Sequence, residues 1–486
     1  MAENTTGFKR EIKLFDAIMI VTGGMIGSGI FIVSADIARL VGSAGWLLLV
    51  WLLSGFITII AALSYGELSS MFPNVGGQYV YLREAYNKMV AFLYGWTLFL
   101  VIQTGVIAAV AMAFARFTGV FLPWFSETNV LFTVGSFSFT TVQLLAVSVL
   151  LLLNFINARG VKSGKWIANI FSSTKILALL ALIVLGVAFG MNADVVQANF
   201  SNFWQAQQVT ANSTAPLPLA GSGLLIAIGL AMIGSMFSSD CWNVIGFSGD
   251  EIVNPKRTIV LSMVIGTIVV TVLYALVNVV YLLVLPLQGS PEGATVLSRG
   301  IQFAADDRVG TAVAEAVGGP KATLFIAFLI MVSTFGCINT VMLSGARVYY
   351  TIARDGLFFP QLARLNKNGV PAVALHCQTA WACLLCVSGK YGDMLNYVMF
   401  AVLLFYIITI IGIFILRRTQ PERPRPYRAL GYPVLPAIYV VLTSGICLVL
   451  LLFQPAYAGA GLILVGLGVP VYYIFRKQFK EIPVVH

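Results

Sequence analysis

Residues 23–31 read Gly23-Gly24-Met25-Ile26-Gly27-Ser28-Gly29-Ile30-Phe31 and lie in a stretch that carries no charge between Asp16 and Asp36. That length of uncharged chain is what a bilayer-spanning helix requires. Four glycines and a serine nevertheless occupy its centre, and each Gly costs about 1 kcal/mol against Ala in a helix interior. The composition therefore invites the backbone to unwind. In hydrocarbon, unwound backbone is tolerated only where it is buried in protein or lines a cavity. Amides freed at the start of a half-helix near Gly27–Gly29 would face a small anion such as a carboxylate. The competing reading is close helix packing by small residues. The stretch alone does not choose between them.

The rest of the chain sets the class. Mean hydropathy is +0.91, 59% of residues are hydrophobic and 10% are charged, which excludes an ordinary soluble domain. Charge-free runs long enough to span recur at 17–35, 40–66, 89–115, 128–158, 176–193, 258–291, 322–346, 368–389 and 394–416. The run 429–475 has Pro455 in its middle and reads as two helices, and 195–239 holds a polar loop and one more span. The expectation is twelve spans. No cleavable signal peptide is expected, because the first apolar stretch is too long and lacks a cleavage site.

A net charge of +10 is of the kind that nucleic-acid partners select. The placement of the basic residues says otherwise. With both termini on the cytoplasmic side, 22 of the 29 Lys and Arg fall in cytoplasmic segments, six fall outside, and Lys175 lies within a span. This is the positive-inside bias, an orientation signal, and no nucleic-acid partner is expected. None of the six cysteines lies in an expected outer loop, so no structural disulfide is expected. Cys383 and Cys386 form a C-x-x-C inside an apolar helix with no partner pair, so neither metal nor redox cofactor is expected there.

A second anomaly sits in the sixth span, expected over about 221–250. Gly234-Ser-Met-Phe-Ser-Ser-Asp-Cys-Trp242 puts small, polar and acidic residues at membrane depth. Interrupted spans at matching positions in two halves mark a transporter's substrate site. Spans 1 and 6 match, so spans 1–5 and 6–10 read as two five-helix repeats. An odd number of spans inverts the second. The chain then divides into a tail (1–13), a first repeat (14–190), an outer loop (191–220), a second repeat (221–418), a cytoplasmic loop (419–433), two further spans (434–475) and a tail (476–486).

Lys175, tenth residue of the fifth span, lies roughly 15 Å into the membrane at 1.5 Å per residue. A midplane lysine costs on the order of 3 kcal/mol, so it needs partners or a cavity unless it snorkels to an interface. Asp240 is the acid at the second interruption. It is open to pairing with a basic substrate side chain, to capping a half-helix, or to answering Lys175 through water. Glu67 is expected to bond the Pro73–Tyr81 turn, and Tyr274 and Asn278, four apart, are candidates to face a cavity. His376 and His486 are the only histidines, and neither is at mid-membrane. No cluster of His, Cys and acid and no phosphate loop points to an enzyme, and no continuous polar stripe points to a channel.

Gly23–Phe31, Glu67 with Pro73-x-x-Gly-Gly-x-Tyr-x-Tyr81, Asp240-Cys-Trp242, Glu251 with Asn254-Pro255, and Arg347 to Pro360 follow one another on the expected spans. By these motifs the sequence resembles the amino acid–polyamine–organocation superfamily, and within it the L-type amino acid transporters in their bacterial form, over essentially all twelve spans. The resemblance implies an all-α membrane protein with a LeuT-like 5+5 inverted repeat plus two C-terminal helices, and no cofactor. It implies a sodium-independent exchanger of neutral amino acids, with cationic ones as an extension of its range, in the plasma (inner) membrane. Proton-coupled symport of amino acids or polyamines, or a non-transporting amino acid sensor, are the alternatives.

The implied substrate site comprises Met25, Ile26, Gly27, Ser28, Gly29, Phe237, Ser238, Ser239 and Asp240. Gly27, Ser28 and Gly29 would take the α-carboxylate, and carbonyls at Met25, Phe237 and Asp240 the α-amino group. Phe237 matches the aromatic gate that closes over the substrate. Ser239 is bulkier in several relatives, which implies a roomier pocket. Lys175 matches the lysine that occupies a sodium position in sodium-independent members. It would tie the fifth span to carbonyls near Gly23 and to Ser333 or Thr334. Heteromeric members bond a heavy chain through a cysteine between the third and fourth spans. Residues 119–140 have none, so no covalent heavy chain is expected.

Overall fold

In the computed structural model, residues 10–135, 137–160, 164–210, 213–388 and 391–478 are described. Most of both expected tails, with Lys9, Lys162, Lys390, Lys480 and His486, lies outside them. The first span is two helices, α1 (Leu14–Met25) and α2 (Gly29–Val41), bent by 41° at the break. α3 (Ala44–Met71) is followed by the short α4 (Gln78–Ala85). α5 (Lys88–Thr97) and α6 (Gln103–Thr118) are joined through one π-helical turn into a single span. Then come α7 (Thr141–Ala158), α8 (Gly164–Leu185) and the short α9 (Ala193–Ser201). α10 (Gly221–Ser238) stops at the second interruption and is continued by a 3-10 helix, Val244–Glu251. The sequence places one helix over about 221–250, whereas the second half of that span is a 3-10 helix.

α11 (Pro255–Val284), the four-residue α12 (Val296–Arg299) and α13 (Val309–Arg354) follow. α13 is interrupted at Gly318 and Gly319, and Gly319 adopts φ +64°, a conformation glycine reaches without steric cost. Pro320 then opens the eighth span. α14 (Ala372–Ser388), α15 (Tyr391–Thr419), α16 (Val434–Phe453) and α17 (Pro455–Gln478) complete the chain. Ten helices among the described residues are long and apolar enough to cross a membrane, and the bent α1–α2 pair makes eleven. α14, with 17 residues, is the apolar helix that would complete the expected twelve. At 1.5 Å per residue it reaches only about 26 Å, less than the ~30 Å hydrocarbon core.

Two hairpins interrupt the all-helical picture. β1 (Val130–Val134) pairs antiparallel with β2 (Phe137–Thr140), and β3 (Gln207–Thr210) with β4 (Ser213–Pro218). Both lie between spans and are short enough to need the neighbouring helices for stability.

The helices sort into two packed groups. α1, α2, α3, α10 and α11 pack on one another, and α6, α7, α13 and α14 form the second group. Each group draws the same ordinal spans from both halves of the chain, as two inverted repeats require. Leu177, Val184, Leu225 and Val441 are more than 60% exposed, since lipid rather than water is the outer solvent here.

The basic end of the bundle is stitched by charge. Glu251 accepts the Glu11 and Ile12 amides at 2.9 and 3.0 Å on its carbonyl, and its carboxylate pairs with Arg347 at 2.8 Å. Glu67, 1% exposed, corrects a sequence expectation. It does not bond the Pro73–Tyr81 turn but takes a two-pronged bond from Arg417 at 2.9 and 2.7 Å and the Ala429 amide at 2.7 Å, with Arg425 at 3.3 Å. An acid at this depth is tolerated because it is paired and fully hydrogen-bonded. At the opposite end, Arg39 of α2 grips the Gln302 carbonyl and Asp307, both at 2.7 Å.

Candidate functional site

The glycines that weaken the first span leave backbone groups that must find partners inside the bundle. Ile26 sits at φ −75°, ψ 89°, an inverse γ-turn in which the Gly27 amide donates to the Met25 carbonyl at 2.9 Å. The four carbonyls before and at the turn are each met by a side chain from another helix. The Lys175 ammonium of α8 donates to the Gly23 carbonyl. The Cys337 thiol of α13 lies 3.3 Å from the Gly24 carbonyl. The Tyr274 hydroxyl of α11 is 3.0 Å from the Met25 carbonyl, and the Ser333 hydroxyl of α13 is 3.3 Å from that of Ile26. The break is thus a fixed conformation held by three helices.

The second interruption is built from the same materials. α10 ends at Ser238, and Cys241 takes φ 66°, a left-handed conformation unusual for a residue with a side chain. The Tyr274 hydroxyl is also 3.1 Å from the Ser238 carbonyl, so one phenol joins both breaks. Gly29 packs directly on Ser238: a Cβ there would stand 3.0 Å from the Ser238 Cα and 2.7 Å from its Cβ. Two interruptions about 210 residues apart in the chain are in van der Waals contact.

The structure brings Gly23, Met25, Ile26, Gly27, Ser28, Gly29, Ser238, Lys175 and Ser333 into this one locus, all buried. Several details differ from expectation. Ser333 does not meet Lys175 but bonds the Ile26 carbonyl, and the Thr334 hydroxyl turns back to its own helix at Ile330 and Met331. For Thr334 the reason is geometric: a helical threonine bonds the open carbonyl one turn back on its own helix. The Gly27 amide, expected to receive a carboxylate, is already donated to Met25. Asn278 does not face a cavity; it accepts from Ser34 at 2.7 Å and donates to the Tyr274 carbonyl. His376 is exposed at the far end of α14, hydrogen-bonded to Asn154.

Phe237, 7% exposed, stands at the last turn of α10, and its carbonyl accepts the Asp240 amide at 3.2 Å. Asp240 accepts from the Tyr406 hydroxyl of α15 at 2.6 Å. No Lys or Arg pairs with it among the described residues, Lys175 being turned to Gly23. Two cavities meet at this Asp240–Tyr406 pair. One runs between α5–α6, the 3-10 helix and α15, with Gln78, Gln103 and Asn243 on its walls. The other lies between α3, α10, α15 and α16, and Ser239 lines it beside Thr58 and Tyr439. Both cavities lie on the α10 side of the site.

Sequence reasoning missed Tyr406, Cys337, Gln78 and Asn243. Asn243 follows Trp242 directly and donates to Gln78 at 3.3 Å. An amide next to the recognised motif was a usable signal. Tyr406, within an otherwise apolar run, gave none.

A sequence model described as amino acid permease matches residues 12–473. The mouse b(0,+)-type amino acid transporter 1 is 28% identical over 98% of this chain and 90% of its own length. The human large neutral amino acids transporter small subunit 2 is 29% identical over 96% of this chain and 80% of its own length.

Proposed function

Because this chain belongs to the amino acid permease family, we propose that it is a sodium-independent amino acid carrier that works by alternating access as an exchanger of neutral amino acids, cationic ones being further substrates. The observation that carries the reading is the contact between two interrupted spans, α1–α2 and α10 with its 3-10 continuation, joined by Tyr274. At such a junction a zwitterion meets complementary ends. Ser28 and Gly29, at the start of α2, set the positive end of a helix dipole toward the α-carboxylate. The carbonyl end of α10, at Phe237 and Asp240, presents oxygens to the α-ammonium. The Met25 carbonyl already accepts the Gly27 amide, as the Phe237 carbonyl accepts that of Asp240.

Lys175 supports sodium independence. Its fixed ammonium bonds the Gly23 carbonyl, where a bound cation would otherwise neutralise the exposed backbone oxygens of the break. Phe237 is the gate over the substrate. The Arg39 grip on Gln302 and Asp307 would hold the outer end shut while the Glu251 stitch releases the inner one. The chain is a multi-pass integral membrane protein. We place it in the plasma (inner) membrane with both termini cytoplasmic and working without a covalent heavy chain; a disulfide-linked partner on a non-reducing gel would refute the last point.

The test is counterflow in proteoliposomes preloaded with one amino acid and offered each of the twenty outside. Uptake should require internal substrate and remain unchanged when choline replaces sodium. A steep sodium requirement would overturn the role given to Lys175, and binding without flux would make the protein a sensor. Asp240→Asn separates the two substrate classes. With the carboxylate gone, competition by arginine or lysine should weaken about tenfold, a value of about 1.4 kcal/mol. Exchange of leucine or alanine should stay within about threefold. Equal losses for both classes would show that Asp240 holds the backbone and not the side chain.

A further inference from the structure

Between α6 and α7 the chain presents an apolar surface that none of the foregoing uses. Leu122, Trp124, Val130, Leu131 and Phe132 are each 45–55% exposed, and Phe132 stacks on Phe139 at 5.2 Å. The segment is not a loose loop. Thr141, the first residue of α7, donates its hydroxyl to the Trp124 carbonyl at 2.7 Å and its amide to the Asn129 carbonyl at 3.0 Å. It receives the Ser126 amide on its hydroxyl at 3.0 Å. Thr140 caps the helix, so β2 runs into α7 without a linker. The one acid in the segment, Glu127, is held by Arg116 at 2.6 Å.

The length of α7 fixes where this surface stands. Its 18 residues reach about 27 Å at 1.5 Å per residue, a little less than the ~30 Å of hydrocarbon they must cross. A span that short is accommodated by local thinning of the bilayer or by its flanking residues, and either brings the β1–β2 hairpin close to the hydrocarbon edge. α7, into which β2 runs, carries an exposed apolar side of its own, with Leu144, Leu151, Leu152 and Phe155 37–55% exposed. A Trp and Phe next to an apolar helix end match the aromatic belt of membrane–water interfaces.

We infer that the β1–β2 hairpin lies in the leaflet at that end of the bundle, with Leu122, Trp124, Val130, Leu131 and Phe132 in the acyl–headgroup boundary. The occupant of the surface is lipid. The hairpin lengthens the lipid-facing surface of a short span and shields its first backbone turn.

Power-saturation EPR of a nitroxide at Phe132→Cys tests this, in a Cys377→Ser, Cys383→Ser background reconstituted into vesicles. A second label goes at Val130→Cys, and Glu292→Cys, exposed in a polar loop, reports water. Collision with a water-soluble nickel chelate should be at least fivefold lower at 130 and 132 than at 292, and collision with oxygen higher. Nickel access equal to that at 292 would overturn the inference. Dipolar broadening between labels of two copies would overturn it too, by putting a second chain on the surface. Retained counterflow in each labelled variant confirms that it is folded.

Discussion

Exchange falls about a hundredfold when Lys175 is replaced by alanine. The side chain is 1% exposed, and its ammonium donates to the Gly23 carbonyl, one of four carbonyls that the broken first span presents to the bundle interior. A hydrogen bond to a charged group is worth roughly 1.5–3 kcal/mol, and leaving its buried partner unpaired costs a similar amount. The upper end of that range corresponds to about a hundredfold. Arginine should not restore the rate, since a planar guanidinium needs more room and a different donor geometry than an ammonium packed against one carbonyl. Initial rates of counterflow, normalised to monodisperse protein in the vesicles, read the effect. A Lys175→Ala rate within twofold of the parent would show that the break holds its shape without the cation.

Gly29→Val is expected to reduce exchange by a comparable factor for a steric reason. A Cβ at Gly29 stands 2.7 Å from the Ser238 Cβ, closer than real Cβ atoms come, and 3.0 Å from its Cα, at the tight edge of real contacts. Relief requires α2 and α10 to separate, and overpacking of this kind typically costs 1–3 kcal/mol. The separation occurs between the two broken ends, so substrate affinity should fall along with rate. Ser238→Gly in the same chain removes the obstructing side chain and should recover part of the loss. If Gly29→Val alone left both KM and rate unchanged, the two interruptions would not be in working contact.

The two interruptions were legible because glycine clusters and an acid inside apolar runs contradict the local rule for a spanning helix. Lys175 was legible for the same reason, a charge where none is tolerated. The partners that complete the site were not. Tyr406 reaches Asp240 across 166 positions of chain, and nothing in the apolar pattern around it marks one tyrosine among eighteen. Glu67 was read against the turn nearest in sequence, whereas its arginine partners come from 350 residues away. Ser333 and Thr334 show a finer limit. Adjacent hydroxyls on one helix point about 100° apart, so only one faces α1, and sequence alone does not say which.

The Glu67 contact bears on the question of which part of the chain is dispensable. The ten-span core looks self-sufficient on symmetry grounds, with α16 and α17 as an appendix. Yet Arg425 and the Ala429 amide, which help neutralise a carboxylate sealed at the end of α3, belong to the connector leading into that appendix. A polypeptide cut after α15 would strand a partly compensated anion at the membrane border. Any minimal version of this carrier must therefore retain the connector or remove the acid with it.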